Sequence, residues 1–326
     1  MGKILKIFRL SLLSMLLIAG LLASTVRADS QTVVVLKVEG VINPVMADYV
    51  DRGIREAEKI GAAACVIEMD TPGGLDTAMR DIIQDIVRSD VPVVVYVSPA
   101  GARAASAGVF ITVSAHIAAM SPNTAIGAAS PVSISSEGET EMSETMQNKV
   151  MNDAAAYIRS LAATHGRNVD WAQKAVREAV SATETEALEL KVVDLIAPDL
   201  DSLLTQINGR KVTMLNGTEV TINTSSVHVE YLEMTWMEQL LLAISDPNIA
   251  YVLMGLASIG LFVEISNPGL IFPGVVGGIS LIFSFFALGN LPVNIAGVLL
   301  IVLALILFIV EALTPASFGA LTVWMP

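Results

Sequence analysis

The sequence is short of the residues from which most hydrolytic and metal sites are built. It has one cysteine and three histidines in 326 residues. A single thiol, Cys65, forms no intramolecular disulfide and no cysteine-rich zinc site. Within the apolar run Ala62 to Met69 it reads as a small buried hydrophobe. The histidines, His116, His165 and His228, are far apart in sequence. None follows a G-x-S-x-G elbow and none has HExxH or another paired-ligand spacing, so neither a histidine triad nor metal-dependent hydrolysis has support. Phosphate-cradling glycine loops are missing as well. Charge is scarce, at 16% of residues, and unevenly placed. Beyond position 249 there is no Lys or Arg and there are two acids, Glu264 and Glu311. The first 28 residues carry Lys3, Lys6, Arg9 and Arg27 and no acid. Taking those four cations from the total of 19 leaves 15 against 32 acids, a net −17 for residues 29–326. A chain this acidic offers no basic face to phosphates, and nucleic acid is excluded as a partner.

What is plentiful is apolar surface, with 53% hydrophobic residues and a mean hydropathy of +0.65. Disorder is excluded on that ground. Lys3, Lys6 and Arg9 followed by the apolar run Leu10 to Ala23 form an export signal, and Val26-Arg27-Ala28 offers a cleavage site before Asp29. An uncleaved anchor is the alternative; either way the following segment is delivered across the membrane. At the other end, Ile249 to Ile265, Gly274 to Leu288 and Val293 to Val310 are three apolar stretches separated by short turns. Each approaches the ~20 residues a helix needs to cross hydrocarbon. Their linkers lack Lys and Arg, so orientation follows from the signal, and three spans leave Glu311 on the cytoplasmic side. Glu264 and Glu311 fall at span ends, where interfacial placement is cheap. The expected location is the cell membrane, multi-pass, with residues 29 to about 245 on the extracytoplasmic side.

In that soluble part, Thr32 to Val38, Ala63 to Met69 and Val91 to Val97 read as buried strands. Met46 to Ile60 and Asp76 to Arg88 between them have helical spacing, with Asp76 as N-cap. This β-α-β-α-β order predicts a parallel sheet with crossover helices. Functional loops in such sheets gather at the carboxyl ends of strands. Two glycine-containing segments fall there, Asp70 to Gly74 and Ser98 to Gly108. Ser106, among Ala and Gly, is either a helix cap or an unhindered nucleophile. Ser133 to Glu144 is acidic, without hydrophobic period, and reads as a loop. Thr183 with Glu186 forms a capping box, and residues 211–232 read as a small β hairpin near the membrane stalk.

Three phrases taken together resemble the ClpP/crotonase superfamily: DTPGG at 70–74, AASAG at 104–108 and TETEALELKVVD at 183–194. Within it the sequence is similar to the NfeD family of membrane-bound serine proteases, partners of stomatin-like proteins and relatives of signal peptide peptidase A. The helix of Asn148-Lys149 running into AYIRSLA at 156–162, His165-Gly166-Arg167-Asn168, and EALTP at 311–315 support that narrower match, which covers about residues 32–320. The resemblance implies an α/β, ClpP/crotonase-like parallel sheet over residues 29–235, after a signal peptide at 1–28. It also implies an all-α transmembrane region of about three helices over 236–326. The small OB-like barrel that longer members carry is expected to be absent.

By the same resemblance, Ser106 and Lys149 form a Ser–Lys catalytic dyad, and the backbone N–H groups of Gly74 and Ala107 form the oxyanion hole. Gly73 and Arg103 line the substrate groove; Arg103 stands where relatives often carry a serine, and it narrows or charges that groove. A lysine acts as base only if desolvation or a nearby cation keeps it neutral, and Met146, Val150, Met151 and Ala154 to Ala156 could bury its stem. No cofactor or metal is implied. The expected activity is cleavage of hydrophobic segments of a stomatin/prohibitin-like membrane partner, by a homo-oligomer at the lipid bilayer. The alternative is a non-catalytic membrane scaffold for such proteins; acyl-CoA chemistry is disfavoured because export separates the domain from cytosolic CoA.

Overall fold

The computed structural model describes residues 31–131, 143–266 and 271–287, together with helical positions between 295 and 306. The signal segment 1–28, most of the acidic stretch 133–144, and Glu311 lie outside the described residues.

The first strand, β1 (Thr32–Glu39), is rich in β-branched residues and buried on both faces, as a central parallel strand requires. The chain turns into α1 (Pro44–Lys59), whose N-cap Asn43 accepts from the Met46 N–H and whose first position is proline. Then come β2 (Ala64–Asp70), α2 (Asp76–Arg88) and β3 (Val93–Val97). The N-cap of α2 is Leu75, which makes no side-chain cap, and not Asp76. Asp76 is the first helical residue, and its carboxylate is taken by Arg80 one turn on at 2.8 Å.

Beyond these the order is β4 (Arg103–Ala105), α3 (Ala107–Ser114), β5 (Ile117–Met120), β6 (Ala125–Gly127), α4 (Glu144–Thr164), α5 (Val169–Arg177), β7 (Ser181–Thr183), α6 (Glu184–Glu189), β8 (Leu195–Ile196) and α7 (Leu200–Ile207). The domain closes with β9 (Lys211–Thr213), β10 (Glu219–Thr221) and β11 (His228–Tyr231), followed by α8 (Trp236–Ile244). Glu144, assigned above to a loop, opens α4 with Ser143 as its N-cap. The Thr183–Glu186 capping box is present, with both reciprocal bonds.

The main sheet runs β11-β1-β2-β3-β5-β8, parallel throughout. Alternate residues of each strand feed two cores. Val34, Leu36, Cys65, Ile67 and Val95 face the helices α1 to α5. Val33, Val35, Val66, Val94 and Tyr96 meet α7 and the β9–β10 hairpin on the other side. Cys65 is a core residue, its thiol pushed up to about 12 by burial and, less, by Glu58.

The hairpin expected over 211–232 is confined to β9 and β10. The later part, β11, instead lies parallel to β1, with Thr32 opposite His228 and Val35 opposite Tyr231. Period-two hydrophobicity identifies a strand without naming its partner, and the open edge of β1 offered unpaired backbone groups.

After α8 come α9 (Pro247–Ser266) and α10 (Ile271–Ala287). Asn248–Ser266 is long and apolar enough to cross a membrane; Phe272–Ala287 is apolar but shorter. The two helices meet where side chains are absent: a Cβ on Gly260 would lie 2.9 Å from the Gly277 Cα, the small-residue contact of membrane helix pairs.

Candidate active site

The site forms where β2, β4 and the start of α3 converge. Thr71 bridges to Ala104, its N–H donating to the Arg103 carbonyl at 2.8 Å and its carbonyl accepting from Ala105 N–H at 3.0 Å. The buried Thr71 hydroxyl closes the following turn, accepting from Gly73 N–H at 3.0 Å and reaching the Gly73 carbonyl at 3.2 Å. Gly73 has φ +120°, and a Cβ there would sit 2.5 Å from the Ser106 Cβ and 3.0 Å from its Oγ. Glycine is required at this position both by backbone conformation and by space. Gly74 is pressed against Ile42 through an isolated parallel bridge, and any Cβ there would enter the Ile42 backbone.

Ser106 precedes α3 with φ 52° and ψ −113°. A non-glycine residue rarely adopts this conformation, which costs on the order of 1–3 kcal/mol and persists only where its surroundings enforce it. Here the Ser106 N–H is tied to the Gly127 carbonyl at 3.2 Å, and its own carbonyl accepts from Val109 N–H at 3.1 Å. Ser106 is the N-cap residue of α3, but its side chain makes no capping bond, so its hydroxyl is not engaged by the helix. All eight residues of α3 are buried, so the half-buried Ser106 is joined to a helix packed into the core on every side. Among the described residues, neither the Gly74 N–H nor the Ala107 N–H donates a hydrogen bond. Gly74 follows the Gly73 that lies against Ser106, Ala107 follows Ser106 itself, and the Ala107 amide is the first of a helix, where the backbone is electropositive.

The far end of α3 is held as firmly. Arg167, 5% exposed, donates to the carbonyls of Val113 and Ala115, both at 2.7 Å, and pairs with Asp194 at 2.7 Å. Asp194 also accepts from the Ala118 N–H of β5 at 2.7 Å. A cation on the last carbonyls of a helix is electrostatically favoured. His116 and His165 pack edge to face beside it, ring centroids 5.9 Å apart. Burial first, and then the Arg167 charge, pushes each from 6.5 down to about 4. These histidines are neutral structural groups.

Of the predicted site residues, Gly73, Gly74, Ser106 and Ala107 are thus gathered at one point. Arg103 begins β4, its N–H held by Asp70 Oδ1 at 2.9 Å and its side chain exposed. Lys149 is on α4, exposed, and among the described residues no hydrogen bond joins it to Ser106. The expectation of an apolar face burying its stem is not met. Burial on α4 begins at Ala154, and Met146 and Val150 are exposed, because the early turns of the helix run past the core.

Sequence reading missed the residues that register α4 against the site. Arg80 of α2 holds Asp76 and, at 2.5 Å, Asp153 of α4. Its guanidinium lies 4.6 Å from the Tyr157 ring centroid, and Tyr157 stacks on Phe110 of α3 at 6.2 Å. Asp153 is one turn from Lys149, and Phe110 is one turn from Ser106. The only signal in sequence was the i, i+4 spacing of Asp76 and Arg80; the long-range partners left none.

A family model described as the NfeD1b N-terminal domain matches residues 32–214. A second, the NfeD integral membrane domain, matches residues 248–324. The chain belongs to the NfeD family. Membrane-bound protease PH1510 of Pyrococcus horikoshii is 40% identical over 313 residues, spanning 96% of this chain and 70% of that protein. Membrane protein NfeD1b of Bacillus subtilis is 28% identical over 326 residues, spanning 97% and 68% respectively. Among solved structures, the 1510-N membrane-bound stomatin-specific protease, a lysine-to-alanine variant in complex with a substrate peptide, superposes with a TM-score of 0.62. It has 39% sequence identity, over 67% of this chain and 99% of that one. A serine-to-alanine variant of the same protease gives a TM-score of 0.59 at 39% identity, over 63% and 99%. This NfeD chain is accordingly a serine protease and a membrane-bound protein, and its parallel-sheet α/β domain is the fold expected.

Proposed function

We propose that this NfeD chain is a membrane-tethered endopeptidase in which Ser106 is the nucleophile and Lys149 its general base. The observation that carries the reading is the turn at Ser106. Its backbone is left-handed, its hydroxyl makes no capping bond, it lies against Gly73, and the N–H groups of the next residue on each side of that contact, Gly74 and Ala107, donate to nothing described. Ser106 Oγ attacks the peptide carbonyl carbon and gives its proton to neutral Lys149 Nζ. The oxyanion is taken up by the N–H groups of Gly74 and Ala107. Collapse breaks the C–N bond as the lysine ammonium protonates the leaving amine, and a water activated by Lys149 hydrolyses the acyl-enzyme.

Lys149 must lose its water to serve as base. Met146 and Val150 beside it are 50% and 38% exposed, so an apolar substrate segment lying on this face would desolvate the amine as it binds. That favours hydrophobic segments, and because PH1510 is a stomatin-specific protease, a stomatin/prohibitin-like membrane protein is the substrate class we assign. The protease domain is taken as residues 29–235 and the membrane region as 236–326, multi-pass, with the domain extracytoplasmic. Gly73 and Arg103 border the groove.

The test uses the full chain in detergent with an apolar peptide substrate and a fluorophosphonate probe. Ser106→Ala abolishes cleavage and labelling in a folded protein. Lys149→Ala lowers kcat by about 10³-fold or more. Retained cleavage by Ser106→Ala would overturn the nucleophile. A wild-type chain that neither reacts with the probe nor turns over any apolar peptide is instead a binding scaffold.

A further inference from the structure

Helix α8 has no fully buried residue, although it is mostly apolar. Its last turn is used: Leu241, Leu242 and Ile244 pack with Ile282 around the buried pair Val45 of α1 and Phe286 of α10. Its first turns carry a bare apolar face. Trp236, Met237 and Leu240 are 72%, 45% and 47% exposed, and at i, i+1 and i+4 they share one face of the helix. Contiguous exposed apolar side chains on a folded domain mark a surface that something covers.

What covers this one is indicated by its continuity with the membrane segment. Between α8 and α9 stand only Ser245 and Asp246, and on the first turns of α9 Ile249, Tyr251 and Val252 are exposed too. Across those two polar residues, the apolar face of α8 is followed at once by the helix long enough to cross a bilayer. Trp236, the first residue of α8, carries an amphipathic ring of the kind that concentrates at the headgroup level. After Lys211 the sequence contains no Lys or Arg, so attraction to anionic headgroups has no part in the contact.

The opposite side of α8 is clamped to the protease domain. Arg52 of α1 grips Glu238 through both carboxylate oxygens, at 2.8 and 2.7 Å, and the Glu233 carbonyl at 3.1 Å. The Tyr49 hydroxyl donates to the Leu232 carbonyl at 2.7 Å. Three residues before Val45, Ile42 bonds the site loop, its N–H to the Gly73 carbonyl and its carbonyl to Leu75 N–H, both at 2.9 Å.

We propose that the Trp236–Met237–Leu240 face of α8 is a lipid-docking surface seated at the headgroup–acyl boundary of the bilayer that α9 enters, and that the Arg52–Glu238 clamp fixes the protease domain to it. It is an interfacial helix of the kind that binds through apolar and aromatic area.

The test is independent of catalysis. The full chain is reconstituted in vesicles of pure phosphatidylcholine, and nitroxide labels are attached at Leu240→Cys and, as control, at the exposed Glu230→Cys of β11. The native Cys65 is buried and stays unlabelled. The label at 240 is expected to collide with oxygen and be shielded from a water-soluble nickel complex, with the reverse at 230. Adding 20% anionic lipid leaves both unchanged. Arg52→Gln is expected to free the domain and broaden the distance distribution between labels at 240 and 230. Equal nickel access at 240 and 230 overturns the lipid contact; an unaltered distribution in Arg52→Gln overturns the clamp. Should Leu240→Cys fail to fold, blue-shifted Trp236 emission in a variant lacking Trp171 and Trp324, quenched by lipids brominated near the headgroup, replaces it. Full quenching by aqueous iodide would then be the contrary result.

Discussion

Replacing Arg167 by methionine tests whether the helix bearing Ser106 is held from its far end. The guanidinium makes three bonds of 2.7 Å in a site where it is 5% exposed. Its removal orphans the carbonyls of Val113 and Ala115 and leaves Asp194 with a single backbone donor, Ala118. Breaking one side of a buried pair costs about 3–5 kcal/mol. For a domain of roughly 200 residues this lowers Tm by ~6–20 °C, measured on the full chain in detergent. Arg167→Lys keeps the charge but not the fork, and falls between. A second consequence concerns pH. His116 and His165 take up protons near pH 6.5 when unfolded but only at about 4 when folded, because burial and then the Arg167 charge oppose the cation. The stability they contribute is complete above about pH 6.5 and is lost as pH falls toward 4, on the order of a few kcal/mol in all. Without the Arg167 charge their folded values move back toward 6.5, and the acid slope of Tm becomes shallower. A Tm within 2 °C of wild type, or an unchanged acid slope, would refute the reasoning.

Two further substitutions probe the site itself. Gly73→Ala drives a Cβ to 2.5 Å from Ser106 at φ +120°; kcat/KM for an apolar peptide should fall by about 10²-fold or more, with stability down by ~1–3 kcal/mol. Wild-type kcat/KM in that variant would mean that Gly73 and Ser106 are not in contact during turnover. Arg80→Gln releases Asp153 from Asp76, and kcat should drop by about 10-fold with peptide KM little changed. Arg80→Lys should recover part of it, and equal kcat in all three proteins would leave Arg80 with no positioning role.

The strands β1 to β3 and the helices between them were legible because their residues carry the pattern themselves: β-branched runs such as Thr32 to Val38 alternate with 3.6-residue periods. The loops around Gly73 and Ser106 could be placed at strand ends for the same reason. The partner of β11, however, is chosen by the open edge of β1 almost 200 residues away, and no local pattern in His228 to Tyr231 encodes that. The exposure of Lys149 was equally hidden. Apolar neighbours at Met146 and Val150 predict burial only if something packs on that face of α4, and among the described residues nothing does. Arg80 and Arg167 read as ordinary cations in sequence; their weight comes from partners at distant positions, Asp153, Val113 and Ala115.

The pairing of β11 with β1 also sets an order of events. β1 is made near the start of the chain, but one of its edges has no neighbour until Tyr231 has been synthesised. Non-local pairing of this kind forms late, since a long loop must close first. Until then β1 presents a row of unpaired amides and carbonyls, a template for another chain. The closing strand leads directly into α8, so the last strand of the sheet and the helix at the membrane stalk belong to one short piece of chain. A protease released by cleavage upstream of His228 would lose more than its anchor. It would carry an open sheet edge and be prone to aggregate, which ties the integrity of the soluble domain to its attachment.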